Sequence, residues 1–202
     1  MSIKTARAAQ LTFDFRVQQP DQTSVTFADT SGTLDVVATA FLGPLGSPSL
    51  ALVNPTPNGL GIDNGDAPNS GVGDSVIDGP DSDNAGEFLV LDFEQAVRLT
   101  SATFFTGSNP LGTGAQNDNF TLFVDGVLSV DQFLLAPANT PTVTFGLSGQ
   151  QFIFTATGAN DNFQLSELVV VPIPEPITLL GTAIAGGLGW AYRRKHSNSK
   201  AV

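Results

Sequence analysis

The sequence predicts an all-β domain, an antiparallel β-sandwich or jelly roll, followed by one C-terminal transmembrane helix. Short apolar segments separated by turn residues recur from Leu11 to Val171, and none has the periodicity of an amphipathic helix. The composition includes 21 Gly, 13 Pro and 15 Phe but few Lys and Glu, which favours strands and turns over surface helices. An uncharged segment, residues 177–192, then precedes a basic cluster, a pattern typical of a membrane-spanning helix.

The 202 residues are predicted to form three parts, an N-terminal segment 1–10, a sandwich domain 11–171 and a C-terminal segment 172–202. A chain of this length buries roughly two-thirds of its unfolded surface, so it needs no disulfide, and it has no cysteine to form one. Segment 1–10 is a leader remnant or a disordered N-terminus. Lys4 and the sequence Ala6-Arg7-Ala8 favour a leader, although the apolar stretch of a leader peptide is missing.

Nine strands are predicted within the sandwich domain. In chain order they are residues 11–15, 33–41, 88–93, 97–106, 120–125, 127–135, 142–147, 151–157 and 163–171. Asp125-Gly126 and Ser148-Gly149 are predicted to be turns. Phe152, Phe154 and Ala156 share one face of their strand, and the 15 Phe are expected to form most of the core.

Residues 43–87 are predicted to be irregular, because Pro44, Pro48, Pro55 and Pro57 rule out a central strand there. A connection of this length is more often a functional or mobile surface loop than an ordinary link between strands.

The acidic part of this region suggests a structural calcium ion. Asp81, Asp83 and Glu87 offer hard oxygen ligands in a flexible loop that has no basic neighbour in sequence. The spacing departs from an EF-hand because Ala85 replaces an oxygen ligand. A solvated acidic turn region is therefore the alternative to calcium.

Two loops of similar sequence, residues 114–120 and 158–163, each lead into a predicted strand. They are expected at corresponding ends of two strands, since Asn and Asp suit such corners. Their polar side chains are candidates for carbohydrate binding, with turn formation as the competing explanation. The candidate ligand-binding residues are Asn117, Asp118, Asn160 and Asp161.

The charge distribution excludes several classes of function. The formal charge is −11, and Arg98 is the one basic residue between Val17 and Tyr192, so no nucleic-acid partner is expected. The single histidine, His196, follows the apolar segment, which excludes a Ser-His-Asp triad or histidine-based metal catalysis in the sandwich. Glycosidase chemistry remains open, because it needs only two carboxylates a few Å apart.

The C-terminal segment has the features of a membrane anchor. Residues 177–192 carry no charge and would span about 24 Å as a helix, somewhat less than the ~30 Å core of a bilayer. Trp190 and Tyr192 lie at the end of this stretch, where amphipathic rings favour the headgroup level. The basic residues that follow are expected on the cytoplasmic side, with residues 1–176 outside. A buried helix at the end of the domain is the alternative.

The motif Pro174-Glu175-Pro176, the apolar stretch and the basic stop Arg193-Arg194-Lys195 together resemble the PEP-CTERM sorting signal. The resemblance covers about thirty residues. It implies a substrate of exosortase, a membrane-embedded processing enzyme of Gram-negative bacteria that make extracellular polysaccharide. In that family the tail is recognised at the Pro-Glu-Pro motif and is then removed or exchanged. The sandwich is similar in general terms to the ectodomains of such proteins.

The expected function is therefore that of an exported, non-enzymatic component of the cell envelope, cell surface or extracellular matrix. Exosortase and the membrane are the expected partners, with an inner-membrane intermediate before processing. The alternative hypothesis is a carbohydrate-binding module acting on exopolysaccharide, and the third hypothesis is a glycosidase. No cofactor is expected apart from the candidate structural calcium.

Overall fold

The computed structural model describes residues 8–44, 47–63, 76–80, 86–106, 118–136, 140–158 and 161–174. These residues form an all-β structure without a helix, and every strand pairing is antiparallel. The strands are β1 (Leu11–Asp14), β2 (Ser24–Ala28), β3 (Asp35–Leu42), β4 (Ser49–Thr56), β5 (Gly59–Asp63), β6 (Ile77–Asp78), β7 (Glu87–Phe105), β8 (Asn119–Val124), β9 (Val127–Leu134), β10 (Thr142–Ala156) and β11 (Asn162–Pro172). The predicted all-β class is confirmed.

Two long strands, β7 and β10, build both layers of the structure. The first half of β7 pairs with β3 and with the second half of β10, whereas its second half pairs with β11 and with the first half of β10. The β7–β10 pair folds back so that its two halves pack against each other. As evidence of this, the ring of Phe104 on the second half of β7 lies 4.8 Å from that of Phe120 on β8 and 6.0 Å from that of Phe154 on β10. Alternate residues of both halves thus share one core.

The two layers are joined along one side and open along the other. The strand order is β1-β11-β5-β4-β3-β7-β10-β8-β9, so β4 and β5 link the layer of β3 to the layer of β11. The strand order ends at β9, which pairs only with β8 among the described strands and forms the edge on the open side. A small barrel-like closure results on the linked side.

Phenylalanine fills much of the core, as its apolar area predicts. Ten of the fifteen Phe are buried, including Phe13, Phe120 and Phe154, which are fully inaccessible. Phe133 departs from the prediction, because it lies on edge strand β9 and is 43% exposed.

The predicted turn at Ser148-Gly149 is wrong. The segments predicted as 142–147 and 151–157 are one strand, β10, and the segments 88–93 and 97–106 likewise form β7. Both strands continue through an irregularity of register between Gly149 and Gln151. The chain continues there because pairing between β7 and β10 resumes beyond the irregularity.

The prediction of an irregular region over residues 43–87 is also wrong in part, since β4, β5 and β6 lie within it. Pro55 belongs to β4 and pairs with Leu60 of β5. Strand β4 tolerates it because the segment on its other side pairs irregularly, through an isolated bridge between Gln22 and Val53. The N–H of Gln19 donates to the carbonyl of Pro55, so proline need not supply an N–H there. Strand β2, with alternating burial, was not predicted from the sequence.

The sheet ends with β11 at Pro172, and residues 173–202 separate from residues 1–172 as a second unit. Within the ranges described above, the structure has no helix long and apolar enough to cross a membrane. The predicted anchor, residues 177–192, and most of the N-terminal segment 1–10 lie outside those ranges.

Candidate functional site

The two acidic loop regions that the sequence suggested separately meet at one end of the all-β structure. Strand β6 pairs with the start of β11, where Asp78 lies opposite Asn162. The N–H of Gly79 donates to the carbonyl of Asp161 at 3.1 Å. The N–H of Asp78 donates to the carboxylate of Glu87 at 2.8 Å. We call this region, defined by Asp78, Glu87, Asp118 and Asp161, the carboxylate end.

Glu87 is the one member of the predicted calcium set that the structure describes, since Asp81 and Asp83 lie outside the described residues. It begins β7 and is 1% exposed. Its Oε2 accepts the hydrogen bond from Asp78, so its carboxylate holds β6 against the start of β7. A calcium site at Asp81, Asp83 and Glu87 stays a prediction.

Asp161 closes the loop between β10 and β11. Its Oδ2 accepts hydrogen bonds from the N–H of Gly158 at 2.6 Å and from the hydroxyl of Thr157 at 3.2 Å. Glycine at position 158 lets the carboxylate approach this closely, because a Cβ there would lie 2.8 Å from the same oxygen. Asp161 therefore makes the turn that was the competing explanation for its place in the loop.

Asp118 precedes β8 and is 1% exposed. Its carbonyl accepts the N–H of Leu135 at 2.8 Å, and its Oδ1 accepts the N–H of Asn162 at 3.3 Å. Its Oδ2 has no hydrogen-bond partner among the residues that the structure describes. Burial raises the pKa of Asp118 to about 6; the bond from Asn162 opposes this shift, and the negative charge of Asp161 adds to it.

Positive charge is scarce around these carboxylates. Arg16 pairs instead with Asp14 at 2.8 Å and approaches Glu167 at 3.7 Å, both away from this end. Arg98 lies on the second half of β7, where it faces Ser148 and Val171 in the two neighbouring strands. In the described part of the chain, no group of three or more histidine, cysteine or acidic side chains is arranged to hold a metal ion.

The predicted carbohydrate-binding set is brought together in part. Asp118 and Asp161 lie close enough for the charge of one to affect the other, whereas Asn117 and Asn160 are outside the described residues. Both described carboxylates are buried, so they do not form an exposed sugar-binding face. Carbohydrate binding stays a prediction.

The sorting motif is placed at its first residue only. Pro174 is exposed and follows the end of β11 by two residues, whereas Glu175, Pro176, Arg193, Arg194 and Lys195 lie outside the described residues.

A second surface feature is an apolar groove of about 420 Å³ between β9 and the first half of β10. Its described lining includes Phe133, Leu134 and Pro141 and contains no carboxylate. It therefore lacks the paired acids that glycosidase chemistry would need.

A buried carboxylate that the sequence analysis missed is Asp29, between β2 and β3. It accepts N–H bonds from Thr33 at 2.8 Å and from Leu34 at 2.7 Å, and it also accepts the N–H and the hydroxyl of Ser31. The sequence Asp29-Thr-Ser-Gly-Thr carries the signal, because an Asp before Ser and Gly favours a turn bonded to its own backbone.

No protein-family model matches the chain, and no curated protein or solved structure matches it either.

Proposed function

We propose that this chain is an exported, non-enzymatic β-sandwich protein of the bacterial envelope, surface or extracellular matrix, and that residues 172–202 are a PEP-CTERM sorting signal. The observation that carries the proposal is the order of features in sequence. The motif Pro174-Glu175-Pro176 leads into the uncharged segment 177–192, and Arg193-Arg194-Lys195 follows that segment directly.

The position of the motif relative to the fold supports the proposal. The last strand, β11, ends at Pro172, and Pro174 is exposed immediately beyond it. Proline at positions 172, 174 and 176 restricts the backbone to extended conformations. Removal of the tail would leave every described strand intact, because the last of them ends at Pro172, before the motif.

The same segment accounts for the proposed location. Residues 177–192 would hold an intermediate in the inner membrane before processing, with the basic cluster in the cytoplasm and the sandwich outside. Exosortase and the membrane are the partners in this proposal, and the mature sandwich is released or transferred to the envelope, surface or matrix.

The test replaces the acidic residue of the motif in a host with active exosortase. The Glu175→Gln variant should accumulate as full-length protein in the inner membrane, because the processing enzyme loses its recognition residue. Glu94→Gln is the matched control, since Glu94 is an exposed glutamate on β7 far outside the motif in sequence. The control should reach mature size and location as the parent chain does. Normal processing of Glu175→Gln would refute the sorting proposal.

A further inference from the structure

The carboxyl group of Asp118 is buried without full compensation from the fold. The residue is 1% exposed, and its Oδ1 receives one hydrogen bond, 3.3 Å long, from the N–H of Asn162. Its Oδ2 is inaccessible and has no hydrogen-bond partner in the described ranges. A carboxylate oxygen in this position has lost its hydration and gained nothing in return, which is unfavourable while the group is ionised.

A second carboxylate lies beside the first. The N–H of Asn162, which follows Asp161, donates to the Oδ1 of Asp118, and the amide of Asn119, which follows Asp118, donates to Asp161, so the two residues are neighbours. The Oδ2 of Asp161 is committed to Gly158 and Thr157, whereas its Oδ1 receives a long bond of 3.4 Å from the amide of Asn119. The Oδ2 of Asp118 accepts no hydrogen bond and the Oδ1 of Asp161 accepts one long bond, so both oxygens have capacity for a further ligand.

In the described part of the chain, neither basic side chain is paired with these two carboxylates, and Arg16 pairs with Asp14. Arg98 is the one basic residue between Val17 and Tyr192, and it lies on β7 opposite Ser148 and Val171. The described residues therefore supply no positive charge to the buried Oδ2 of Asp118, and a metal ion from solvent would provide one.

We propose that Asp118 and Asp161 are ligands of a calcium ion that ties the start of β8 to the start of β11. Calcium accepts oxygen ligands in irregular arrangements, typically about six to eight of them, so amides, backbone carbonyls and water complete its shell beside two carboxylates. Magnesium demands a near-ideal octahedron, which irregular loop ligands of this kind do not favour. The proposed ligands, Asp118 and Asp161, are other residues than the predicted set Asp81, Asp83 and Glu87.

The test compares the thermal unfolding of the purified full chain in calcium and in chelator at matched ionic strength. Loop sites of this kind bind with dissociation constants of roughly 10⁻⁴–10⁻³ M, so about 10 mM calcium chloride at about pH 7.5 saturates them. Calcium should raise the unfolding midpoint of the parent chain by about 3–6 °C, and magnesium by much less. The measurement uses purified protein, so its outcome does not depend on how the cell sorts the chain.

Two variants locate the ion. Asp118→Asn keeps the shape of the side chain and the acceptor for the N–H of Asn162, but it removes the charge, so it should fold and lose the calcium response. Glu94→Gln removes an exposed carboxylate on β7 and should keep the full response.

Two outcomes overturn the proposal. A parent chain with equal midpoints in calcium and in chelator binds no calcium, and its Asp118 is then compensated by a proton or not at all. An Asp118→Asn variant that responds to calcium as strongly as the parent would place the ion elsewhere.

Discussion

Asp29 and Asp118 are both buried aspartates, yet the fold treats their charges in opposite ways. Burial would raise the pKa of Asp29, but hydrogen bonds from Ser31 and Thr33 outweigh it and hold the pKa well below its usual range. Asp118 has one weak bond from Asn162, so for this residue burial dominates. The number of hydrogen-bond donors around a buried carboxylate therefore decides whether its pKa is lowered or raised, and burial alone does not.

Replacing Asp29 by Asn should destabilise the protein by about 2–3 kcal/mol at neutral pH, because an amide cannot accept all the bonds that the carboxylate accepts. The pKa of Asp29 is depressed in the folded state, so its contribution is complete above the unfolded value of about 3.9 and declines as the pH falls below it. The difference between parent and variant should therefore narrow by about 1 kcal/mol on going from about pH 5 to about pH 3.

Urea unfolding of both chains at the two pH values measures this difference. Asp92→Asn is the control, since Asp92 is exposed on β7 and should shift stability little at either pH. A constant difference across the acid range would show that the Asp29 carboxylate is not the group whose charge matters.

Asp118 should show the opposite pH dependence in chelator. Its folded pKa, about 6, exceeds the unfolded value of about 3.9, so the folded state binds more protons between these values and stability falls as the pH rises through them. Asp118→Asn removes this cost and should be more stable than the parent by up to about 3 kcal/mol at about pH 7.5, with the gain vanishing near pH 4. Urea unfolding in chelator measures the gain; a variant less stable than its parent at both pH values would contradict it.

At the scale of elements, the irregularity of register between β7 and β10, which lies between Gly149 and Gln151, depends on close packing around Gly149. The hairpin turn Asp125-Gly126 joins β8 to β9, and the Oδ1 of Asp125 accepts the N–H groups of Gln150 and Gln151, both at 2.9 Å. A Cβ at position 149 would overlap the side chain of Val124 and lie 2.8 Å from the Oδ2 of Asp125. A side chain at position 149 would therefore push the Asp125-Gly126 turn away from β10 and weaken the hydrogen bonds that Asp125 accepts from Gln150 and Gln151.

Gly149→Ala should cost about 1–3 kcal/mol, because the neighbouring atoms must move to admit the methyl group. Gly146→Ala is a matched control in the same strand, since no atom lies within 4 Å of a Cβ built there. The control should be neutral or slightly stabilising, as alanine restricts the unfolded chain more than glycine does. Chemical unfolding of the two variants and the parent measures these differences in stability. A Gly149→Ala variant as stable as the Gly146→Ala control would mean that the structure around position 149 admits the methyl group without cost.

The elements differ in how far the sequence predicts them. Asp125-Gly126 was predicted as a turn and is one, with positive φ at both residues, because a local residue preference determines a two-residue hairpin. Ser148-Gly149 has similar turn chemistry but lies inside β10, because pairing with β7 on both sides holds the strand together. Local patterns report turn propensity, whereas strand continuity depends on partners distant in sequence.

The candidate site follows the same division. The similarity of the loops at 114–120 and 158–163 predicted that Asp118 and Asp161 would occupy corresponding positions at strand ends, and the structure brings them together. Their burial was not predictable from composition, because they contact segments distant in sequence. Gly79, just after β6, donates its N–H to the carbonyl of Asp161, and Leu135, just after β9, donates its N–H to the carbonyl of Asp118.

For the whole molecule, the central question is whether the all-β unit is complete without residues 175–202. Strand β11 pairs with β1, β5, β6 and β7, and these pairings end at Pro172. The described sheet therefore contains the full partner set of its last strand. Residues 1–174 contain four basic and eighteen acidic residues. A chain ending at Pro174 therefore has a larger net negative charge than the full chain.

A chain ending at Pro174 should fold and unfold at nearly the same midpoint as the full chain, provided that both are measured in about 0.5 M salt, which screens the extra repulsion between exposed carboxylates. A chain ending at Leu165 is the contrasting variant. It keeps the pairings to β5 and β6 but loses those of Glu167–Val170 with β1 and most of those with β7, so it should fail to unfold cooperatively. Circular dichroism during heating distinguishes the three chains. A midpoint for the Pro174 chain far below that of the full chain would mean that residues 175–202 stabilise the all-β unit. Removal of the tail by a processing enzyme would then destabilise the product, and the proposed sorting route would lose its structural basis.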